Sequence, residues 1–258
     1  MALAIHDCMT APSLRVLTVN AHKGFGFLNR RFILRELRDA VRAVSADVVF
    51  LQEVLGSHAH HARRLKDWPA SPQYEYLADT IWSQHAYGRN AVYPHGDHGN
   101  AVLSRFPIRS YENHDASIGS EARGLLHCVL DVPGLADGVH AICVHLGLRE
   151  SHRQHQLERL CAVIEREVPP GAPLVVAGDF NDWRLVAHER LYRCAGLSEV
   201  FVATFGRAAR TFPARWPVLR LDRIYARHAR VQPLRLPPRP WSHLSDHAPL
   251  AAQIEFKT

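Results

Sequence analysis

The chain has 258 residues, 47% of them hydrophobic and 22% charged, with a formal net charge of +6. That composition excludes a disordered chain and supplies a full core for one large domain. No apolar run approaches the ~20 residues of a membrane span, and Met1 to Asp7 lacks the basic start and apolar run of a signal peptide; a cytoplasmic protein without a transmembrane segment is expected.

Residues 1–13 read as a flexible N-terminal tail, and residues 14–258 as a single domain. Leu14 to Asn20 alternates as a strand and delivers an amide to its end, followed by the polar loop Ala21-His22-Lys23-Gly24. Phe32 to Val44 is an amphipathic helix, with Leu34, Leu37, Val41 and Val44 on one face and Arg35, Arg38 and Arg42 on another. Asp47 to Glu53 is an apolar strand ending in Gln-Glu, so the chain opens on a βαβ unit. A short helix and a proline-bearing loop are expected over 57–72, a short strand over Tyr74–Ala78, and an aromatic-rich loop from Asp79 to Asp97. His98 to Pro107 reverses the order, with Asn100 at the start of a strand. Arg123-Gly124 precedes the strand Leu125–Asp131, and Val139–His145 ends in an imidazole. Ser151 and Gln154 fit a capping box before a helix that turns Leu157, Leu160, Cys161 and Ile164 inward.

Leu174 to Ala177 is a buried strand running into Gly178-Asp179-Phe180-Asn181. Residues two apart on extended chain point to the same side, so Asp179 and Asn181 aim at one spot, although Asp and Asn are also ordinary turn formers. A helix over 185–194 stops at Gly196. The stretch 205–240 carries nine arginines and one acid, Asp222, a basic surface suited to phosphate. Leu221–Ala226 is a short strand, Pro233–Pro240 is extended, and Ser245-Asp246-His247 leads into the final strand, Ala248–Phe256.

Cys8, Cys128, Cys143, Cys161 and Cys194 form no CxxC pair and read as reduced core thiols. The 18 histidines include the clusters His58, His60, His61 and His95, His98, which show no closed zinc-ligand spacing and read as surface or loop groups. Nine polar residues border apolar strands: Asn20, Glu53, Asn100, His145, Asp179, Asn181, Asp222, Asp246 and His247. Carboxylate and amide oxygens suit Mg²⁺ or Mn²⁺ rather than zinc. Asp222 and His247 form a candidate orienting pair.

Val19-Asn20, Leu51-Gln52-Glu53, Gly99-Asn100 through Arg105, His145-Leu146, Gly178-Asp179-Phe180-Asn181, Leu221-Asp222-Arg223-Ile224 and Ser245-Asp246-His247 together resemble the endonuclease/exonuclease/phosphatase superfamily. The resemblance implies a DNase I-like fold: a four-layer α/β/β/α sandwich of two packed mixed β-sheets flanked by helices. Asn20 to Phe25, Tyr87 to Pro94 and His145 to Glu150 are similar to a bacterial branch often encoded beside a cardiolipin synthase, which hints at phospholipid.

The resemblance further implies a Mg²⁺- or Mn²⁺-dependent hydrolase, first a phosphodiesterase and second a DNA or RNA nuclease; a non-catalytic scaffold would need a broken site. Glu53 would be the main metal ligand, with Asn20 and Asp246. Asp179 and Asn181 would position the attacking water, Asp222 would orient His247 at the scissile phosphate, and His145 would steady the phosphate or protonate the leaving oxygen. The base is either Asp179 or His247. Where some nucleases carry an acid two residues after the Asn20 position, this chain has His22. Asn100, Arg123, Arg149 and Arg153 are candidate phosphate contacts. Expected partners are a phosphodiester substrate, either lipid headgroup or nucleic acid, and peripherally an anionic membrane, with no obligate protein partner.

Overall fold

The computed structural model describes residues 11–27 and 31–257. Most of the expected tail, and Cys8 with it, therefore lies outside the described residues. Two six-stranded sheets pack face to face. The first contains β1 (Ser13–Asn20), β2 (Val48–His58), β3 (Gln84–Tyr93), β4 (Gly96–Ser104), β11 (Ala229–Leu234) and β12 (Leu250–Phe256), in the order β11-β12-β1-β2-β4-β3. The second contains β5 (Ile108–Asp115), β6 (Gly124–Leu130), β7 (Val139–His145), β8 (Leu174–Asp179), β9 (Ser198–Glu199) and β10 (Asp222–Arg227), in the order β5-β6-β7-β8-β10-β9.

Period-two burial produces the layers. On β1, Leu14 and Val16 face the second sheet while Leu17 and Val19 face helices. On β8, Val175 and Ala177 face the inter-sheet core while Leu174 and Val176 face outward. Strands apolar on both faces read as continuous hydrophobic runs for this reason. Helices α1 (Leu34–Val44), α3 (Gln73–Ala78) and α7 (Pro238–Leu244) cover the first sheet; α4 (Glu150–Glu167) and α5 (Val186–Ala195) cover the second. Two short helices, α2 (Ala59–Arg64) and α6 (Val200–Phe205), complete the set. The four-layer α/β/β/α arrangement matches the expectation.

Several local expectations are corrected. Tyr74–Ala78 is helical: Leu77 and Ala78 bury against the first sheet, and Gln73 accepts the Leu55 N–H, so tertiary packing overrides the β-favouring tyrosines. The expected loop 79–97 is mostly strand β3, paired along β4. Trp82 is buried and donates its indole N–H to Ala46 O. Strand β5, an exposed edge without an apolar face, carries no periodic signal of its own. Helix α4 starts at Glu150 with Arg149 as an uncapped N-cap, so Ser151 and Gln154 lie inside it and form no capping box. Part of the extended 233–240 stretch is the start of α7. Cys161 and Cys194 are joined in a disulfide between α4 and α5, which corrects the all-reduced expectation; Cys128 and Cys143 are free and buried.

Among the described residues each sheet has one parallel pair, β1–β2 and β7–β8, and every other pairing is antiparallel. Helical crossovers through α1 and α4 make those pairs. Gly178 lets β8 approach β7: it has φ +147°, and a Cβ there would stand 1.9 Å from Val144 O. Gly178→Ala should therefore lose more than about 3 kcal/mol of stability, measured by urea unfolding.

Candidate active site

Functional groups gather at the carboxyl ends of the two parallel pairs, where open α/β sheets place their ligands. From the first sheet come Asn20, at the end of β1, and Glu53, on β2. Glu53 sits at a bulge, where the β2–β4 register shifts between Leu51 and Val54, and adopts φ +53°. The bulge re-aims its carboxylate out of the ladder, the usual use of such an irregularity beside a site. From the second sheet, His145, Asp179 and Asp222 stand side by side on three adjacent strands: His145 is in register with Asp179, and Asp179 with Asp222. His247 reaches the row from the segment before β12.

Asp179 is the point of convergence. Its Oδ2 lies 3.3 Å from Asn20 Nδ2, 3.6 Å from His145 Nε2 and 3.8 Å from His247 Nε2. Its Oδ1 accepts the Asn181 N–H at 2.9 Å. Asn181 adopts φ +49° and donates its side-chain amide to Leu146 O, which fixes the turn after β8. The strand end is thus both an Asx turn and part of the site. His247 Nδ1 meets Asp222 Oδ2 at 2.9 Å. Asn20 also reaches Glu53 Oε1 at 3.4 Å, and its Oδ1 accepts the His22 N–H at 3.0 Å.

A cavity of about 430 Å³ opens over this row. Its lining includes Glu53, His145, Asp179, Asn181, Asp246 and His247, together with Lys23, His98 and Arg123. His98, expected to be a surface or loop group, is on strand β4 and lines the cavity, and Lys23 of the expected polar loop lines it too. The signal for His98 is its position two residues before Asn100 on one strand, which puts both on the same face. Lys23 follows Asn20 in a tight turn at φ +57°, and its ammonium lies 3.8 Å from Glu53 Oε2.

The candidate phosphate contacts separate. Arg123 lines the cavity and keeps a buried Nε without a partner. Arg149 is exposed and does not line the cavity. Arg153 is 1% exposed and donates to the Gly147 and Leu148 carbonyls and to Glu150, so its donors are committed to the protein; its guanidinium stacks 4.6 Å from the Trp183 ring. Asn100 is fully buried and bridges the sheets, donating to Gly124 O and Cys143 O.

Burial sets the charges. It opposes ionisation of Glu53, but His145, Lys23, His22 and the Asn20 amide hold its carboxyl at about 2. Burial, helped by Arg123, drives His145 down to about 3, so at neutral pH the ring is uncharged and Lys23 carries the formal positive charge beside Glu53. Asp179 is pushed up to about 7 by burial, against His247, and by the nearby Asp222. Burial works against the His247 charge, yet Asp222 and Asp179 raise it to about 10.

Asp179, Asp222 and His247 present donor atoms within 4.8 Å of one another, an acidic and histidine set that could hold a metal. An imidazolium has no lone pair to give, so this set is a poor seat for a dication while His247 is charged; the Glu53 and Asp246 carboxylates on the cavity wall are the remaining oxygen candidates, whereas Asn20 turns its Nδ2 toward Glu53 and commits its Oδ1 to the His22 N–H. Glu53 is ionised, borders the cavity and has a flexible, half-exposed ammonium as its counter-ion, a charge that a dication can replace.

His247 therefore stays imidazolium through pH 8 in the metal-free protein, while His145 stays neutral down to pH 5. ¹⁵N-histidine NMR reads both, and Asp222→Asn should bring His247 down toward its ordinary value near 6.5. The folded value of His247 lies above the unfolded one. Its ion pair therefore stabilises the fold fully below about pH 6.5, and that contribution is lost as pH rises through about 10.

The profile of the Endonuclease/Exonuclease/phosphatase family matches residues 17–247. The chain is 58% identical over 246 residues to the uncharacterized protein YbhP of Escherichia coli (strain K12), covering 95% of this chain and 97% of that one. An endonuclease/exonuclease/phosphatase from Beutenbergia cavernae superposes with a TM-score of 0.76 at 22% identity, over 95% of this chain and 72% of the other. D. rerio TDP2, complexed with single strand DNA product, superposes with a TM-score of 0.64 at 18% identity, over 95% and 99%. With most of its length inside the family profile, and the same two-sheet architecture as these solved structures, the chain belongs to the endonuclease/exonuclease/phosphatase family, whose name denotes enzymes that cleave phosphoester bonds.

Proposed function

We propose that the chain is a divalent-metal-dependent phosphodiesterase acting on phospholipid headgroups. The observation that carries the chemistry is the convergence of groups from both sheets on Asp179 Oδ2. Glu53, with Asp246, would hold Mg²⁺ or Mn²⁺, while Asn20 steadies the Glu53 carboxylate through its amide N–H; the ion when bound neutralises phosphate charge and stabilises the leaving oxygen. Asp179 accepts the proton of the attacking water, since burial and the neighbouring Asp222 raise its carboxyl above the ordinary carboxylate range and make it the stronger base. Asn181 fixes that carboxylate through its backbone N–H. Asp222 orients His247 and keeps it charged, so the His247 Nε2–H donates to a non-bridging phosphate oxygen; this favours Asp179 over His247 as the base. His145, neutral and buried, donates a hydrogen bond to the phosphate, and Arg123, which lines the cavity, adds positive charge beside it.

The lipid reading rests on the rim. Leu148, Trp183 and Leu219 line the cavity and are exposed, and the loop carrying Leu219 also exposes Trp216 and Val218. Apolar side chains around a polar, metal-suited floor fit a phosphate attached to an apolar body at an anionic surface. Arg207, Arg210 and Arg215 are exposed close by in sequence. No helix among the described residues is long and apolar enough to cross a membrane, so any membrane contact made by these residues would be peripheral. The second reading, a nuclease, draws on the single strand DNA product bound by D. rerio TDP2 and on Trp183 and Trp216 as stacking platforms.

A substrate panel with Mg²⁺ or Mn²⁺ should separate the two: vesicles of phosphatidylglycerol or cardiolipin against single- and double-stranded DNA and RNA. Release of the headgroup, as its alcohol or as its phosphomonoester, is expected, and cleavage of nucleic acid alone would sink the lipid assignment. Asp179→Asn and Glu53→Gln should each lower turnover by roughly 10²–10⁴-fold with the fold retained. Trp216→Ala should weaken activity on vesicles while sparing a short-chain soluble diester.

A further inference from the structure

A second group of ligand-type side chains lies on the helix-covered face of the second sheet. His114 comes from β5, His127 from β6 and Glu167 from the last residue of α4. One donor atom from each lies within 4.8 Å of the other two. His114 Nε2 is 3.0 Å and His127 Nδ1 is 3.1 Å from the same oxygen, Glu167 Oε2. A tetrahedral Zn²⁺ with bonds of about 2.0–2.1 Å separates its donors by about 3.3 Å, so small side-chain adjustments would seat the ion. The phosphoester site is elsewhere: His140 and His145 are the second and last residues of β7, and five residues of strand at about 3.3 Å each put them about 17 Å apart.

Two further features point to a metal. The His114 side chain is 9% exposed, and its Nε2 is buried without an aligned hydrogen bond although it faces Glu167. Each ligand also has an outer partner on its other polar atom, so the three inward atoms face only one another. His127 Nε2 meets His140 Nδ1 at 2.9 Å, His114 Nδ1 is 3.5 Å from Glu112 Oε1, and Glu167 Oε1 accepts from Arg166 Nη2 at 2.6 Å. Outer partners of this kind fix ring orientation and tautomer at zinc centres. Two imidazoles and one carboxylate also form a donor set that suits a borderline transition-metal ion better than Mg²⁺.

We propose that His114, His127 and Glu167 form a Zn²⁺ site, with its fourth position open to water, that clamps the edge strand β5 to the end of α4. Its role is structural and independent of phosphoester cleavage.

The test uses the whole chain, stripped with a chelator and gel-filtered. Zn²⁺ is then titrated in excess Mg²⁺, with bound zinc measured by elemental analysis. Co²⁺ substitution, read by its visible d–d spectrum, reports tetrahedral geometry. One high-affinity Zn²⁺ per chain is expected in the wild type and in Glu53→Gln, with a raised melting temperature in each. His114→Gln and Glu167→Gln should weaken binding by more than about 100-fold, beyond the loss typical of an outer-partner substitution. Both variants should keep the metal-free melting temperature within a few degrees, which controls for folding. Equal zinc affinity in wild type and His114→Gln would overturn the proposal, as would zinc lost only in Glu53→Gln. If one variant fails to fold, the other and the Co²⁺ spectrum decide.

Discussion

Two carboxylates, Asp179 and Asp222, face each other on neighbouring antiparallel strands, each 1% exposed. Like charges that close and that dry cannot both be ionised without a cation between them. His247 supplies it, bound to Asp222 and within 3.8 Å of Asp179. The remaining electrostatics follow from this arrangement. Asp222 keeps the imidazole charged, the imidazole makes the second carboxylate tolerable, and burial still pushes the Asp179 carboxyl above the ordinary carboxylate range. Removing His247 would leave an uncompensated buried pair, the costly way to break such a network.

Backbone irregularity aims residues on both sides of the site. Glu53 leaves the ladder at a bulge with φ +53°, Lys23 has φ +57° and Asn181 has φ +49°. Three non-glycine residues in the left-handed region, all lining one cavity, are strained locally and are held by what surrounds them. The regular strands bring the chain to the site, and the irregular residues aim it.

Sequence signals of different strength explain what was legible. Buried strands such as Val139–His145 and Leu174–Asp179 announced themselves as apolar runs ending in a functional group, and their positions match the structure. The convergence of Asp179, His145, His247 and Asn20 depends on strand register, which single runs do not encode. Tyr74–Ala78 and β5 were hidden because one is a helix held by packing and the other an exposed edge. Arg153 illustrates a different limit: an arginine near a phosphate-type site looks like a ligand, yet all its inward donors go to backbone carbonyls and Glu150. The Cys161–Cys194 bond joins residues 33 apart that only the packing of α4 on α5 brings together.

Asn100 has a mechanical consequence. It hangs from the first sheet and donates to carbonyls of the second, in the same layer where Gln52 reaches Cys143 Sγ at 3.2 Å. Glu53 belongs to one slab and Asp179 to the other, so the gap between slabs is also the reach between their reactive groups. Packed interiors yield little to compression, and these polar ties work as spacers of fixed length. An overpacked side chain in the central layer would spread the slabs by tenths of an ångström. Beyond its cost in stability, that change would detune the enzyme like a vice with a shim in its jaws.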